Sequence, residues 1–197
     1  MPAGMPAGSG RRMQSLKHHF LMAMPHLEDP NFAGSLIYLC DHDNNGCMGV
    51  ITNRPLEITL EALFDQLELG GETSPHRNAP VYYGGPMHKD RGFILHVGDS
   101  QQWDSSIQVE DGIALTTSLD ILQAFAAGEG PEHFLVCLGC AGWEVGQLEE
   151  ELKENSWLTV EAESNVLFNT PPVERLTAAA GLLGIDLNLM TRDAGHA

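Results

Sequence analysis

Residues 35–51 read SLIYLCDHDNNGCMGVI, two apolar runs separated by the polar hexapeptide DHDNNG at 41–46. The reading of those six residues decides between a helix-flanked metal loop and a β-sheet. They fill the first half of the EF-hand calcium pattern D-x-[DN]-x-[DN]-G without a mismatch. The second half fails. A calcium loop closes with a bidentate glutamate at its twelfth position, and counted from Asp41 that residue is Thr52. Its flanks should also be helices, whereas SLIYLC carries apolar side chains on both faces, as a buried central strand does, and CMGVITN reads as a second strand. Asn and Asp tolerate left-handed backbone, and Gly46 accepts a positive φ without steric cost. The hexapeptide is therefore read as a tight hairpin turn with its acids facing water.

Working outward, HHFLMAMP (18–25) is a short apolar run ended by Pro25, and DPNFAG (29–34) is a turn-rich link. ITLEALFDQLEL (58–69) spaces Leu60, Leu63, Phe64 and Leu67 as one face of a helix, with Thr59 at the cap. GGETSPHRNAP (70–80) is polar and turn-rich and is the best candidate for a mobile loop. Strands are predicted at VYYGG and RGFILHV around a Gly-Gly-Pro break, and two more around the turn Asp111-Gly112. TSLD (117–120) has capping-box spacing and opens a helix closed by Gly128. HFLVCLG (133–139) is a buried strand, and EVGQLEEELKEN (144–155) a helix with Val145, Leu148 and Leu152 inward. WLTVEAE and NVLFN look extended, and PPVERLTAAAGLLG (171–184) is a final helix opened by proline and closed by glycine. Alternating strands and helices predict an α/β fold with a mixed sheet.

The chain has 197 residues, 43% of them apolar, which suits one domain with a sizeable core. The opening MPAGMPAGSGRR predicts a disordered tail over 1–12, followed by a single domain over 13–197, with Met13 as the natural start. The apolar stretch after it is too short for a secretion signal, is broken by Pro25 and runs into Glu28 and Asp29, so a cytosolic protein is expected. No stretch approaches a membrane span. Ten basic residues against twenty-seven acidic give a formal charge of −17. Nucleic-acid binders neutralise phosphates with clustered Lys and Arg, so this field disfavours direct DNA binding. The concentrated basic group, Arg11, Arg12 and Lys17 with His18 and His19, lies in or beside the tail.

Four cysteines stand at 40, 47, 137 and 140. CLGC is a C-x2-C read between a strand and a helix, where a helix N-terminus would favour a Cys140 thiolate. The competing reading makes Cys40 and Cys137 small apolar core residues. Cys40 and Cys47 are spaced too loosely for a four-cysteine zinc site. His42, Asp43, His88, Asp90 and His96 show no metal-ligand spacing, and His96 is read as a hydrogen-bonded strand residue. Neither a G-x-S-x-G elbow nor a Walker loop nor a G-x-G-x-x-G fingerprint occurs, and neither metal nor cofactor is expected. What remains is a set at strand ends and a helix start, where open α/β sheets hold ligands. It comprises Asn53 and Arg54 from TNRP, Gly84 and Gly85 from YYGGP, Asp90 and Arg91 from KDRG, and Trp143 and Gln147 from CAGWEVGQ. The two glycines are read as a sharp corner before a ligand approach.

The segments HHFLMAMP, SLIYLCDHDNNGCMGVITNRP, YYGGPMHKDRGFILH, LGCAGWEVGQLEEELKENSWL and LFNTPPVERLTAAAGLLGID, with the closing AGHA, together resemble the AlgH family, also called YqgE, of bacterial proteins. The likeness runs from about residue 13 to 197. It implies a compact fold of two interlocked lobes with flanking helices, a cytosolic location and a role in transcriptional regulation of exopolysaccharide production. It supplies no catalytic residues. The chain departs from the family pattern at Cys47, Thr52 and Cys140, which weakens a redox reading of the C-x2-C. The leading expectation is a regulatory or binding protein acting through an unknown protein or small-molecule partner. The alternative is an enzyme or thiol switch, with a cleft bordered by Asn53, Arg54, Asp90, Arg91 and Trp143 or with a reactive Cys140.

Overall fold

The computed structural model describes residues 14–187 and 189, so the N-terminal tail expected at 1–12 and the closing AGHA lie outside the described residues. Its strands are β1 (His19–Ala23), β2 (Leu36–Asp43), β3 (Gly46–Ile51), β4 (Pro55–Thr59), β5 (Pro80–Tyr83), β6 (Met87–Val97), β7 (Ser106–Glu110), β8 (Ile113–Thr116), β9 (Phe134–Trp143) and β10 (Trp157–Glu161). The helices are α1 (Leu60–Gln66), α2 (Leu119–Ala126), α3 (Gln147–Lys153), α4 (Ser164–Phe168) and α5 (Pro172–Leu182). The strands run β10-β1-β2-β3-β9-β6-β8-β7, with β4 on β5 and β5 on β9. The β5–β9 pairing is parallel and the others are antiparallel, which makes the sheet mixed.

DHDNNG closes the β2–β3 hairpin, with Asn44 and Asn45 as its two-residue turn. Asp43 pairs with Gly46 across Asn44 and Asn45, the Asp43 carboxylate accepts the Asn45 N–H at 2.7 Å, and Gly46 adopts φ 122°. Asp41 and Asp43 are exposed, as the turn reading requires. Thr52, where a calcium loop would carry its glutamate, is buried and donates its hydroxyl to the Leu36 carbonyl at 2.9 Å.

Strand β9 joins the two lobes. Its first half lies between β5 and β6, with Cys137 paired to Tyr82 on one side and to Phe93 on the other. Past Gly139 it changes neighbours, and Ala141, Gly142 and Trp143 pair with β3. The sheet curls around one core to which both lobes contribute: Phe20, Leu36 and Tyr38 from the first, Phe93, Leu95 and Leu115 from the second, closed by Val166, Leu167, Ala179 and Ala180 of α4 and α5. Each large apolar side chain buried this way contributes about 1.5–3 kcal/mol. Helices α1 and α2 cover the outer face of the second lobe through Leu60, Phe64, Ile121 and Phe125. Phe32, Trp143, Trp157 and Leu148 cover that of the first.

Several elements differ from expectation. NVLFN is not extended: residues 165–168 are helical, inside α4, and Asn169 is its C-cap. Residues 55–59 form strand β4, so Ile58, expected to open the helix, is extended and α1 begins at Leu60. Thr59 and Ser118 are N-caps, yet neither side chain makes a capping bond; Ser118 instead donates to Asp120 at 2.6 Å. Val145 precedes α3 and is exposed, and Leu67 lies at the exposed end of α1. The 70–80 segment is anchored: Ser74 is buried and donates to the Phe125 carbonyl at 2.5 Å, and the His76 ring packs edge-on against Phe125 and Phe134. Its polar composition caps a packed loop.

Candidate functional site

The kink in β9 shapes the seam between the lobes. Gly139 adopts φ 81°, a region open mainly to glycine, and a Cβ there would overlap the Gly85 carbonyl. Gly84 and Gly85 face the same constraint, since a Cβ on either would overlap the backbone at Gly139 or Cys140. These two glycines therefore form a corner where backbone meets backbone. On the other side β6 cannot follow the kink. It advances from Met87 to Gly92 while β9 moves only from Cys140 to Leu138, so His88, Lys89, Asp90 and Arg91 bulge out, all exposed. His88 takes φ 50°, a left-handed conformation uncommon outside glycine.

Clefts open on either side of this bulge. One, of 590 Å³, lies on the seam between β3, β6, β9 and the start of α3. Met48, Met87, Phe93, Cys140, Gly142 and Trp143 give it an apolar lining, and Asn45, His88, Arg91, Glu144 and Gln147 supply its polar groups. The other, of 430 Å³, runs between α1 and α2 over Ile94 and Leu138, with Lys89, Asp90 and Arg91 along one side. Arg91 lines both. It donates to the Thr117 hydroxyl at 3.2 Å and stands over the Phe93 ring at 5.7 Å.

The sequence-derived set divides. Arg91, Trp143, Gln147 and Cys140 meet at the seam cleft, and Asp90 faces the neighbouring one. Trp143 is largely buried, donates its indole N–H to Glu151 at 3.3 Å and stacks on Phe32. Gln147 accepts the Glu144 N–H and donates to Glu151. Asn53 and Arg54 line neither cleft. Asn53 accepts the Leu36 N–H and donates to the Gly34 carbonyl. Arg54 donates to the carbonyls of Pro30, Asn31 and Ala33, so its guanidinium pins the 30–34 turn.

Cys140 is not at a helix start. Cys137 and Cys140 both lie within β9, and α3 begins only at Gln147. Burial raises the Cys140 thiol pKa, with Arg91 opposing. Burial also raises Cys137 to about 12 and Cys47 to about 12, and holds Cys40 well above its ordinary value. All four are free thiols. His42 accepts the Leu16 N–H on Nδ1, so its Nε2 proton is directed to Glu149 at 3.2 Å. His96 is buried between the Thr116 hydroxyl and the Val97 carbonyl, as a strand histidine.

The AlgH-like family model matches residues 20–188. The chain belongs to the AlgH family. A UPF0301 protein of Chromohalobacter salexigens is 68% identical over 184 residues, covering 93% of this chain and all of that one. Another from Paraburkholderia phymatum is 48% identical over 183 residues, covering 93% and 96%. The solution structure of the AlgH protein from Pseudomonas aeruginosa superposes with a TM-score of 0.75 at 46% identity, over 95% of this chain and 100% of that one. A crystal structure of a Corynebacterium diphtheriae protein shares the fold alone, with a TM-score of 0.65 at 19% identity over 89% and 91%. Among the described residues no helix is long and apolar enough to cross a membrane.

In this AlgH-family chain, sequence reasoning missed Met48, Met87, Phe93 and Glu144 of the seam cleft and weighed His88 only as a metal ligand. Met48 and Phe93 sit in ordinary strand patterns, and only the pairing shift between β6 and β9 brings them together. The signal that was available is PMHKDRG, where four charged or titratable residues interrupt a strand immediately after two glycines.

Proposed function

We propose that this protein is a cytosolic regulatory or binding protein that acts through a ligand or partner held in the seam cleft, without chemistry of its own. The observation that carries the reading is the cleft itself. It lies where the lobes share β9, its apolar floor is rich in methionine and its rim carries a few polar groups, the general form of a small-molecule site. Methionines adapt to varied ligand shapes. A thiol whose pKa is raised by burial is a poor nucleophile at neutral pH, which weighs against the thiol-switch alternative. Any transcriptional role is indirect in this reading, because a formal charge of −17 repels the phosphate backbone.

Thermal-shift screening against a metabolite library tests the cleft. A true ligand raises the unfolding temperature of the wild type but not of Met87→Trp, which fills the cleft from an exposed position. The indirect part is tested by mobility shift. Sequence-specific retardation of DNA at physiological salt would overturn it.

A further inference from the structure

The second cleft offers different chemistry. Leu63 and Leu67 of α1 face Leu119 and Leu122 of α2 across a floor of Ile94 and Leu138, so the apolar part of the lining is aliphatic. A flat ring would gain from an aromatic partner, and this lining supplies none. The lips are unusual: Leu67 is 40% exposed and Leu119 46% exposed, two large aliphatic side chains left in water at the mouth. Gln66, Thr117 and Ser118 add neutral polar groups, and the β6 bulge brings the charged Lys89 and Arg91 beside Asp90. Neither cation forms an ion pair among the described residues; Arg91 has a neutral hydroxyl and a ring for partners. In a chain with 27 acidic residues against 10 basic, this rim is locally positive.

We propose that the leucine-lined groove between α1 and α2 binds an amphipathic carboxylate, an unbranched alkyl chain between the leucines with its anionic head at Lys89 and Arg91. Charge complementarity selects the head group, and the aliphatic lining selects the tail. The occupant is a free alkyl carboxylate, and the groove shares Arg91 with the seam cleft but none of its apolar lining.

Calorimetric titration of the full chain with decanoate, decanol and acetate tests it. Decanoate is expected to bind saturably at one per chain, decanol at least tenfold more weakly, and acetate not measurably. Raising the salt should weaken decanoate binding, since an exposed ion contact is screened. Leu119→Glu puts a carboxylate at the mouth in the first turn of α2, a position that tolerates an acid. It and Lys89→Glu should each weaken decanoate at least tenfold while leaving the urea midpoint unchanged. Met87→Trp should leave decanoate binding intact. Absence of saturable binding, or decanol matching decanoate, overturns the proposal. So does binding that survives Leu119→Glu but is lost in Met87→Trp, a result that would move the anion to the seam cleft and favour the preceding reading instead.

Discussion

Arg54 and Arg91 both stand beside a strand terminus in the sequence, and their surroundings separate them. Three backbone carbonyls accept from Arg54, so its loss frees the 30–34 turn and leaves those oxygens without their donor. Arg54→Ala is expected to lower stability by about 2 kcal/mol in urea titration. Arg54→Lys should restore little, because a point charge cannot reach three carbonyls as a planar fork does. Arg91 is exposed and touches one hydroxyl and one ring, so Arg91→Ala should stay within about 0.5 kcal/mol of wild type. Equal losses for the two arginines would contradict this division. Gly139 is the sharper case. An added methyl meets both a left-handed φ and the Gly85 carbonyl, so Gly139→Ala should cost about 3 kcal/mol or more, or prevent folding. A variant within 1 kcal/mol of wild type in the same titration, on the usual ~1 kcal/mol scale of point substitutions, would mean the kink relaxes freely.

At the scale of elements, β9 changes the meaning of the C-x2-C motif. Inside a strand that packs on both faces, the two thiols are core side chains rather than a pair at a helix start. Thiol labelling at pH 7 should accordingly be slow at all four cysteines and become complete only on unfolding in guanidinium. Raising the pH enlarges the thiolate fraction, and with pKa values displaced upward the native rate should still be climbing at pH 9 rather than levelling near the ordinary thiol pKa of about 8.5. One cysteine labelling much faster than the rest at pH 7 would revive the thiol switch.

Strand and helix cores were legible because their patterns are local: the Asn-rich hairpin turn, the Leu60–Phe64 spacing, and the proline opening and glycine following α5. Helix α4, five residues long, is too short to display a 3.6-residue period, and β4 exposes every residue, so neither carried a usable pattern. The site was legible only in part. Asn53 and Arg54 looked free because nothing local shows that the 30–34 turn consumes them. The clefts arise from a pairing shift between β6 and β9, strands separated in the chain by β7, β8 and α2, which no window of sequence contains.

For the whole molecule, a shared strand and a shared core make the lobes interdependent. Opening the first lobe would strip β3 from Ala141–Trp143, and opening the second would strip β5 and β6 from the same strand. Either event also exposes the core that Phe20 and Tyr38 form with Phe93 and Leu115. A partly open state therefore loses most of the apolar burial while recovering chain entropy for only half the residues, and should not be populated. The three tryptophans report on this separately. Trp103 packs in the second lobe near His96, whereas Trp143 and Trp157 meet edge-to-face in the first at 6.0 Å between ring centres. With fluorotryptophan incorporated, three ¹⁹F resonances followed through a urea titration should vanish at one midpoint, coincident with loss of far-ultraviolet dichroism. If the Trp103 resonance melted at lower urea than the other two, the lobes would be separable units and β9 would be a tether rather than a common strand.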